Sequence, residues 1–392
     1  MPMISAPRVL VDGQWAGPAT VVHADGVITD VLDGAAKDAT DHVMLPSGVL
    51  TAGLVDIQIN GAYGVDFVKA TEDEWLTVAR TLPSTGVTAF QPTYITAPVD
   101  TLVAGLERAA AARSRLSDQP VARIIGVHLE GPFLSPDQAG VHPVAHMRPP
   151  SPDLLDRLLD GEPGRGVLTT VTLAPELAGG LAAVRRLTGA GVRVSIGHSN
   201  AVAAEVRAAA DAGASMVTHL FNAQRGLGHR EPGVAGQALS DPRLTAGLIA
   251  DLHHVVGEVC GIVMRAAPGR VALVTDAIAA AGMPPGHYEL GGIEVGIAEN
   301  DVPRNMNGTI AGSALTLDRA VRNLIGLGCD PVQVLRAASE TPANAIGRPE
   351  LGRLMVGAMA DMVWWSDDFH PRRAWVGGAE AFSAQEVLTA SP

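Results

Sequence analysis

The chain has 392 residues, of which 47% are hydrophobic and 18% charged, and its formal net charge is −13. That length asks for two or three domains, or for one large barrel with an appendage, and the composition fits a folded protein with a large core. The acidic balance argues against nonspecific DNA binding, which needs a basic surface, but leaves room for a locally positive pocket around a small anion. The two cysteines, Cys260 and Cys329, stand far apart in no CxxC pair, so a reducing, cytoplasmic setting without a disulfide framework is expected. No run of about 18 apolar residues occurs, and the opening MPMISAPRVLVDGQW lacks the pattern of a signal peptide, so no membrane span is expected.

In chain order, residues 8–15, 19–31 and 41–53 read as short strands, rich in β-branched residues and broken by DG and PSG turns. From residue 54 the pattern alternates. Candidate strands at 54–59, 87–92, 123–129, 168–174, 192–197, 216–220, 245–251 and 271–276 are mostly separated by helical patterns such as 100–116, 175–191 and 201–214. Two more helical stretches, 314–328 and 330–347, follow the eighth strand, and the tail returns to strand-like runs at 352–367 and 372–382. Eight strands alternating with helices predict an α/β fold, a (β/α)8 TIM-like barrel over 53–347. An open doubly wound sheet is the competing arrangement, disfavoured because no GxGxxG follows the first strand. Residues 1–52 and 348–392 are expected to pair into one small β-sandwich domain.

A barrel of this kind presents its chemistry at the C-terminal ends of its strands. Glu130 ends the third strand, His198 the fifth, His219 lies near the end of the sixth, and Asp276 ends the eighth. One carboxylate and two imidazoles form a ligand set for a divalent metal that leaves a position open for water. Asp276 is placed to accept a proton from that water and return it to a leaving group. The plainer alternatives are an ion pair or helix cap for Glu130, an N-cap before AIAAAG for Asp276, and ordinary buried hydrogen bonds for the histidines.

Several strings carry a family resemblance: DIQINGAYGVDF (56–67), HLEGPFL (128–134), GHSNA (197–201), HLFNAQRGLGHREPGVAG (219–236), IADLHHV (249–255), LVTDA (273–277) and GSALTLDRAV (312–321). From about residue 45 onward the chain resembles the N-acetylglucosamine-6-phosphate deacetylases of the amidohydrolase superfamily. The resemblance implies hydrolysis of a 2-acetamido group on a phosphosugar, in a homodimer. It places metal ligands on Glu130, His198 and His219, and the acid/base on Asp276. Sugar contacts fall on Val141 and His142, further substrate contacts on Asn222 and Ala223, and phosphate contacts on Arg230 and on His254 reaching the neighbouring subunit. The GSALT turn brings Ile310, Ala311 and Gly312 near the substrate. Many superfamily members open with HxH after the first strand; here Gln58 and Asn60 occupy those positions, so one metal per subunit is expected, zinc foremost, with iron, manganese or cobalt as alternatives. The two amides are then expected to hydrogen-bond the metal's water or the ligand. Gln224 stands where the family commonly has Met. Two other readings are kept: an amidohydrolase for a different N-acyl or cyclic amide, and a catalytically dead barrel serving as a binding protein.

Overall fold

The computed structural model describes residues 1–35, 41–159, 166–299 and 302–384. Its centre is a parallel barrel whose strands we label β1 (Leu54–Ile59), β2 (Val87–Ile95), β3 (Val127–Glu130), β4 (Leu168–Leu173), β5 (Arg193–Ile196), β6 (Met216–Val217), β7 (Thr245–Leu248) and β8 (Val271–Leu273). Each pairs in parallel with the next. Just past β8 the ring closes on β1: Ile59 bridges Ala277, the Asn60 N–H donates to the Ala277 carbonyl at 2.7 Å, and the Asp276 N–H to the Gln58 carbonyl at 2.8 Å. The expected (β/α)8 architecture is therefore observed.

Along β1, β3 and β4 the lumen side is unusually polar. Asp56 takes the Thr275 hydroxyl at 2.6 Å, Gln58 takes the Thr218 hydroxyl across the barrel at 2.7 Å, and His128 lies between Thr93 and Thr172. These groups are buried but paired, which is the condition for keeping polar atoms inside. The outer faces of the strands carry the apolar residues that the helices cover, in one continuous core running from Val55 and Phe90 to Leu335.

The register sets the height of the functional residues. Ile95 stands opposite Glu130, Glu130 opposite Thr172, and Ile196 opposite both Leu173 and Val217. His198 and His219 follow β5 and β6 by two residues and Asp276 follows β8 by three, so all four reach one rim.

Both ends of the described chain enter the same sheet. Val49–Ala52 pairs antiparallel with Met362–Trp365, which continues into Pro371–Val376 and Ala379–Ser383 on one side, while Val9–Val11 and Gln14–Ala16 lie on the other. A four-stranded sheet from Met3–Ala6, Ala19–Ala24, Val27–Asp33 and His42–Met44 shares a second core with it, formed by residues such as Ile4, Val21, Leu50, Met362 and Trp375. Residues 385–392 of the expected C-terminal segment lie outside the described residues. The buried Asp361 carboxylate ties this unit to the barrel by accepting two hydrogen bonds from Arg123 at 3.2 Å and one from the Gly377 N–H.

One difference from expectation and one element that was not foreseen concern local chemistry. The stretch 330–347 is two helices, Pro331–Ala338 and Glu340–Ala345, because the chain breaks at Ser339 ahead of Pro342. After Asp276 no helix forms. The chain instead makes an antiparallel hairpin, Gly286–Leu290 with Ile293–Ile297, turning on Gly291 and Gly292. A Gly-Gly pair between two alternating runs is a hairpin signal that was present in the sequence. Among the described residues no helix is long and apolar enough to cross a membrane.

Trp365 is fully buried and its indole N–H donates to Thr51 at 2.8 Å. Trp365→Ala is expected to lower unfolding stability by about 3–5 kcal/mol, read as a lower denaturant midpoint.

Candidate active site

Three donor atoms meet at the rim. Glu130 Oε1 lies 2.8 Å from His219 Nε2 and 3.3 Å from His198 Nε2, and the two imidazole nitrogens are 3.1 Å apart. Ligands about 2.1 Å from one ion stand roughly 3.0–3.4 Å from one another at tetrahedral to octahedral angles, so this triangle has the dimensions of a divalent-metal site. Its chemistry fits as well: two imidazole nitrogens turned on each other and on a carboxylate, all buried, are a donor set that a shared divalent cation would satisfy. His142 also offers a nitrogen within 4.8 Å of the Glu130 and His198 donors. Its own approach to Glu130 is longer, 3.8 Å, and its ring packs on that of His198 with centroids 4.3 Å apart. The tighter triangle, with His219, is the better ligand set.

The backbone carries the two imidazoles on sharp turns. His198 has a φ of 46°, and beside His219 the turn has Phe221 at 76° and Ala223 at 47°; Asp276 is at 49°. Left-handed non-glycine residues are costly and tend to be held at functional sites by their surroundings. Here the restraints are visible. His198 Nδ1 bonds the Gln138 carbonyl at 2.9 Å, which turns Nε2 inward. Glu176, beyond β4, accepts the Ser199 hydroxyl at 2.7 Å and the Asn200 N–H at 2.6 Å. Gln224 staples the His219 turn, donating to the Thr218 carbonyl at 2.7 Å and accepting from the Phe221 N–H at 3.2 Å. A methionine at 224 could make neither bond.

Asp276 faces the triangle. Its Oδ1 accepts from Asn60 Nδ2 at 2.8 Å and from Gln58 Nε2 at 3.4 Å, and the same Gln58 amide donates to Glu130 Oε1 at 3.2 Å. Gln58 is thus a spacer between two carboxylates, its orientation set by the Thr218 hydroxyl. Burial, then the Glu130 charge, raises the Asp276 carboxyl to about 6, suiting a group that takes and returns a proton near neutrality. Burial pushes the Glu130 carboxyl up as well, but the His219 and His198 imidazoles outweigh it and hold it well below the usual carboxylate range. Burial likewise opposes charge on His219, and Glu130 overrides it, pushing the imidazole up to about 9. Burial, reinforced by His198, holds His142 well below the ordinary imidazole value, hence neutral. Its Nδ1 accepts the Thr96 N–H at 3.3 Å, so the ring proton is on Nε2, turned to the cleft.

A cleft of about 410 Å³ opens above these groups. Besides Glu130, His198, His219 and Asp276, the expected residues Asn60, Val141, His142, Asn222, Ala223, His254, Ile310 and Gly312 line it. Gln58 lies beneath the lining, and Ala311 is buried in the apolar cluster behind it. Gly312 has a φ of 59°, and a Cβ there would come within 2.8 Å of the Asp276 carbonyl, so the GSALT turn packs against the Asp276 backbone. His254 is oriented by Asp251, whose carboxylate bonds its Nδ1 at 2.7 Å and caps the His253 and His254 N–H groups; His253 itself is exposed. Arg230 is exposed and is not among the cleft's lining residues. It makes no ion pair with Glu231, which instead accepts the Ala203 and Gly233 N–H groups.

Several contributors escaped sequence reasoning. Asp251 had a local signal, an Asp two and three residues ahead of the N–H groups that it caps. Leu290 reaches the cleft on the Gly-Gly hairpin and packs with Ile95 and Ile278. Gln138, Glu176 and Thr218 had none, because their partners are distant in sequence.

The fold and this site define a metal-dependent amide hydrolase of the barrel type. The amidohydrolase family model matches residues 49–390, and the chain belongs to that family. Among its relatives, the N-acetylglucosamine-6-phosphate deacetylase of Vibrio furnissii is 38% identical over 97% of this chain and 94% of its own length. The N-acetylgalactosamine-6-phosphate deacetylase of Escherichia coli O157:H7 is 36% identical over 96% and 98%. Of solved structures, N-acetyl-D-glucosamine-6-phosphate deacetylase from Mycobacterium smegmatis superposes with a TM-score of 0.89 at 32% identity, covering 97% of this chain and 100% of that one.

The two candidate ligand sets make different predictions. His219→Ala is expected to abolish stoichiometric metal in the purified protein, whereas His142→Ala should retain it, both measured by elemental analysis. The reverse result would move the site onto His142.

Proposed function

We propose that this chain removes acetate from N-acetylglucosamine 6-phosphate to give glucosamine 6-phosphate, in amino-sugar and cell-wall recycling. The observation that carries this reading is the triangle of Glu130, His198 and His219 set against Asp276 at one end of a cleft. Relatives named for this activity match nearly the whole chain. A divalent ion held by Glu130, His198 and His219, zinc foremost with iron, manganese or cobalt as alternatives, would lower the pKa of a water and polarise the acyl carbonyl. Asp276 accepts the proton of the attacking water through Oδ2, since Oδ1 is engaged by Asn60 and Gln58. It then returns that proton to the amine nitrogen. His142, neutral with its proton on Nε2, donates to the carbonyl oxygen, where negative charge develops. The apolar wall of Ile95, Ile249 and Leu290 keeps that end of the cleft dry.

At the sugar end, His254 is the basic group in the lining and Asn222 and Ala223 add polar atoms, which suits a phosphate. A homodimer belongs to the same reading. The resemblance implies that His254 reaches the neighbouring subunit; in the single chain His254 lines its own cleft and Arg230 does not, so we read Arg230 instead as the group that a neighbouring copy would supply to the phosphate. We place the protein in the cytoplasm, on its two unpaired cysteines and on a charged metabolite as substrate. We read residues 1–52 with 348–392 as one β domain and 53–347 as the hydrolase barrel, supported by the pairing of Val49–Ala52 with Met362–Trp365. A second substrate, the epimer N-acetylgalactosamine 6-phosphate, is favoured by the relatives of that name, 36% and 33% identical.

The deciding experiment is acetate release by metal-stripped protein, with each metal added back, from both phosphosugars and from N-acetylglucosamine. Turnover should require metal, and loss of the phosphate should lower kcat/KM by about a hundredfold or more, as remote binding energy is withdrawn from the transition state. Equal rates with and without the phosphate would favour a different amide. Asp276→Asn should keep its metal and lose about a thousandfold or more in kcat; near-normal turnover would remove Asp276 from its role.

A further inference from the structure

Two nearby amides, Gln58 on β1 and Asn60 just past its end, are treated differently by the fold. Gln58 uses both ends of its side chain: the carbonyl accepts the Thr218 hydroxyl and the amino group serves Glu130 and Asp276. Asn60 uses one. Its Nδ2 donates to Asp276 Oδ1 at 2.8 Å, which fixes the amide, yet its Oδ1 is buried and has no hydrogen-bond partner among the described residues. Asn60 is only 3% exposed and lines the cleft with Asp276, Glu130 and His142. A buried carbonyl held without a donor is costly, so its partner should arrive with a ligand.

The missing donor can be identified by chemistry. A secondary acetamide presents one acceptor, its carbonyl oxygen, and one donor, its N–H. The acceptor is met by His142 Nε2–H on the triangle side. The N–H is left over on the nitrogen side, where Asp276 must deliver its proton. We propose that Asn60 Oδ1 accepts the substrate's amide N–H and so makes Asn60 a determinant of amide over ester specificity. This rests on the deacetylase reading above. Through one rigid amide, Asn60 then holds Asp276 by its Nδ2 and the scissile nitrogen by its Oδ1. When the carbonyl carbon–nitrogen bond breaks, its electron pair stays on nitrogen, which takes the proton from the Asp276 carboxyl and keeps its own hydrogen on Asn60. The water oxygen leaves in the acetate.

The test compares N-acetylglucosamine 6-phosphate with its ester counterpart, 2-O-acetylglucose 6-phosphate, which lacks that N–H. Asn60→Leu removes the Nδ2 bond to Asp276 for both substrates, so the readout is the ratio: kcat/KM on the amide should fall about 10-fold or more beyond its fall on the ester, with metal content unchanged. Where the ester binds without turnover, its inhibition constant takes the place of kcat/KM. If Asn60→Leu loses metal or melts early, Asn60→Ala serves in the same comparison. An equal fall on amide and ester would overturn the proposal, leaving Asn60 only to orient Asp276. A wild-type protein inactive on both phosphosugar amides would instead sink the deacetylase reading itself.

Discussion

The Glu130 carboxylate is the point around which the rest of this site is arranged. It is buried, it is anionic, and it faces a second buried carboxylate, Asp276, across the same rim. Two such charges in a low-dielectric interior cannot stand together without compensation. The fold supplies it in two layers. His198 and His219 take one side of Glu130, at distances that suit a shared cation. The Gln58 amide takes the gap between the acids, giving a hydrogen to each. The residual imbalance falls on Asp276, whose carboxyl is raised to about 6, as the proposed proton transfer requires.

That arrangement explains why so many polar side chains were kept in the lumen. Thr218 orients Gln58; Gln224 holds the Thr218 carbonyl and the turn behind it; Glu176 and Gln138 fix the turn and ring of His198. Of these four, Gln138 lines the cleft and the other three stand behind it. Each removes one freedom from a candidate ligand or from Asp276, which is how a site with four charged or chargeable groups holds its geometry. The left-handed backbone at His198, Ala223 and Asp276 is tolerable because these bonds over-determine it.

The parts legible in sequence were those with a period or an abrupt change of period. Strand ends could be located because a run such as LVDIQI gives way to a loop, and the barrel then converted four strand ends into a single rim. Glu130, His198, His219 and Asp276 needed no knowledge of contacts beyond that. The roles of Gln58 and Asn60 were less accessible. Their positions at the end of β1 were clear, but the Gln58 partners are residues 130, 218 and 276, and no local pattern says that an amide will bridge two acids rather than bind a ligand. Arg230 shows the opposite case. Its string resembles a phosphate-binding loop, yet the fold of one chain leaves the guanidinium outside the cleft.

The hairpin over the site joins specificity to the fold. Leu290 sits at its tip and packs on Ile95, at the end of β2 and opposite Glu130. Gly291 can turn there because its φ of 55° and the Ile95 side chain, 2.6 Å from any added Cβ, leave no room for a side chain. Asp66 accepts the Gly291 N–H and so fixes the tip to the loop that follows β1. The apolar wall is therefore anchored to the same strand that supplies Gln58 and Asn60. A shift of β1 would move the carboxylate spacer, the Asn60 amide and the wall together, so the dry side and the ionic side of the cleft are held in register by one strand.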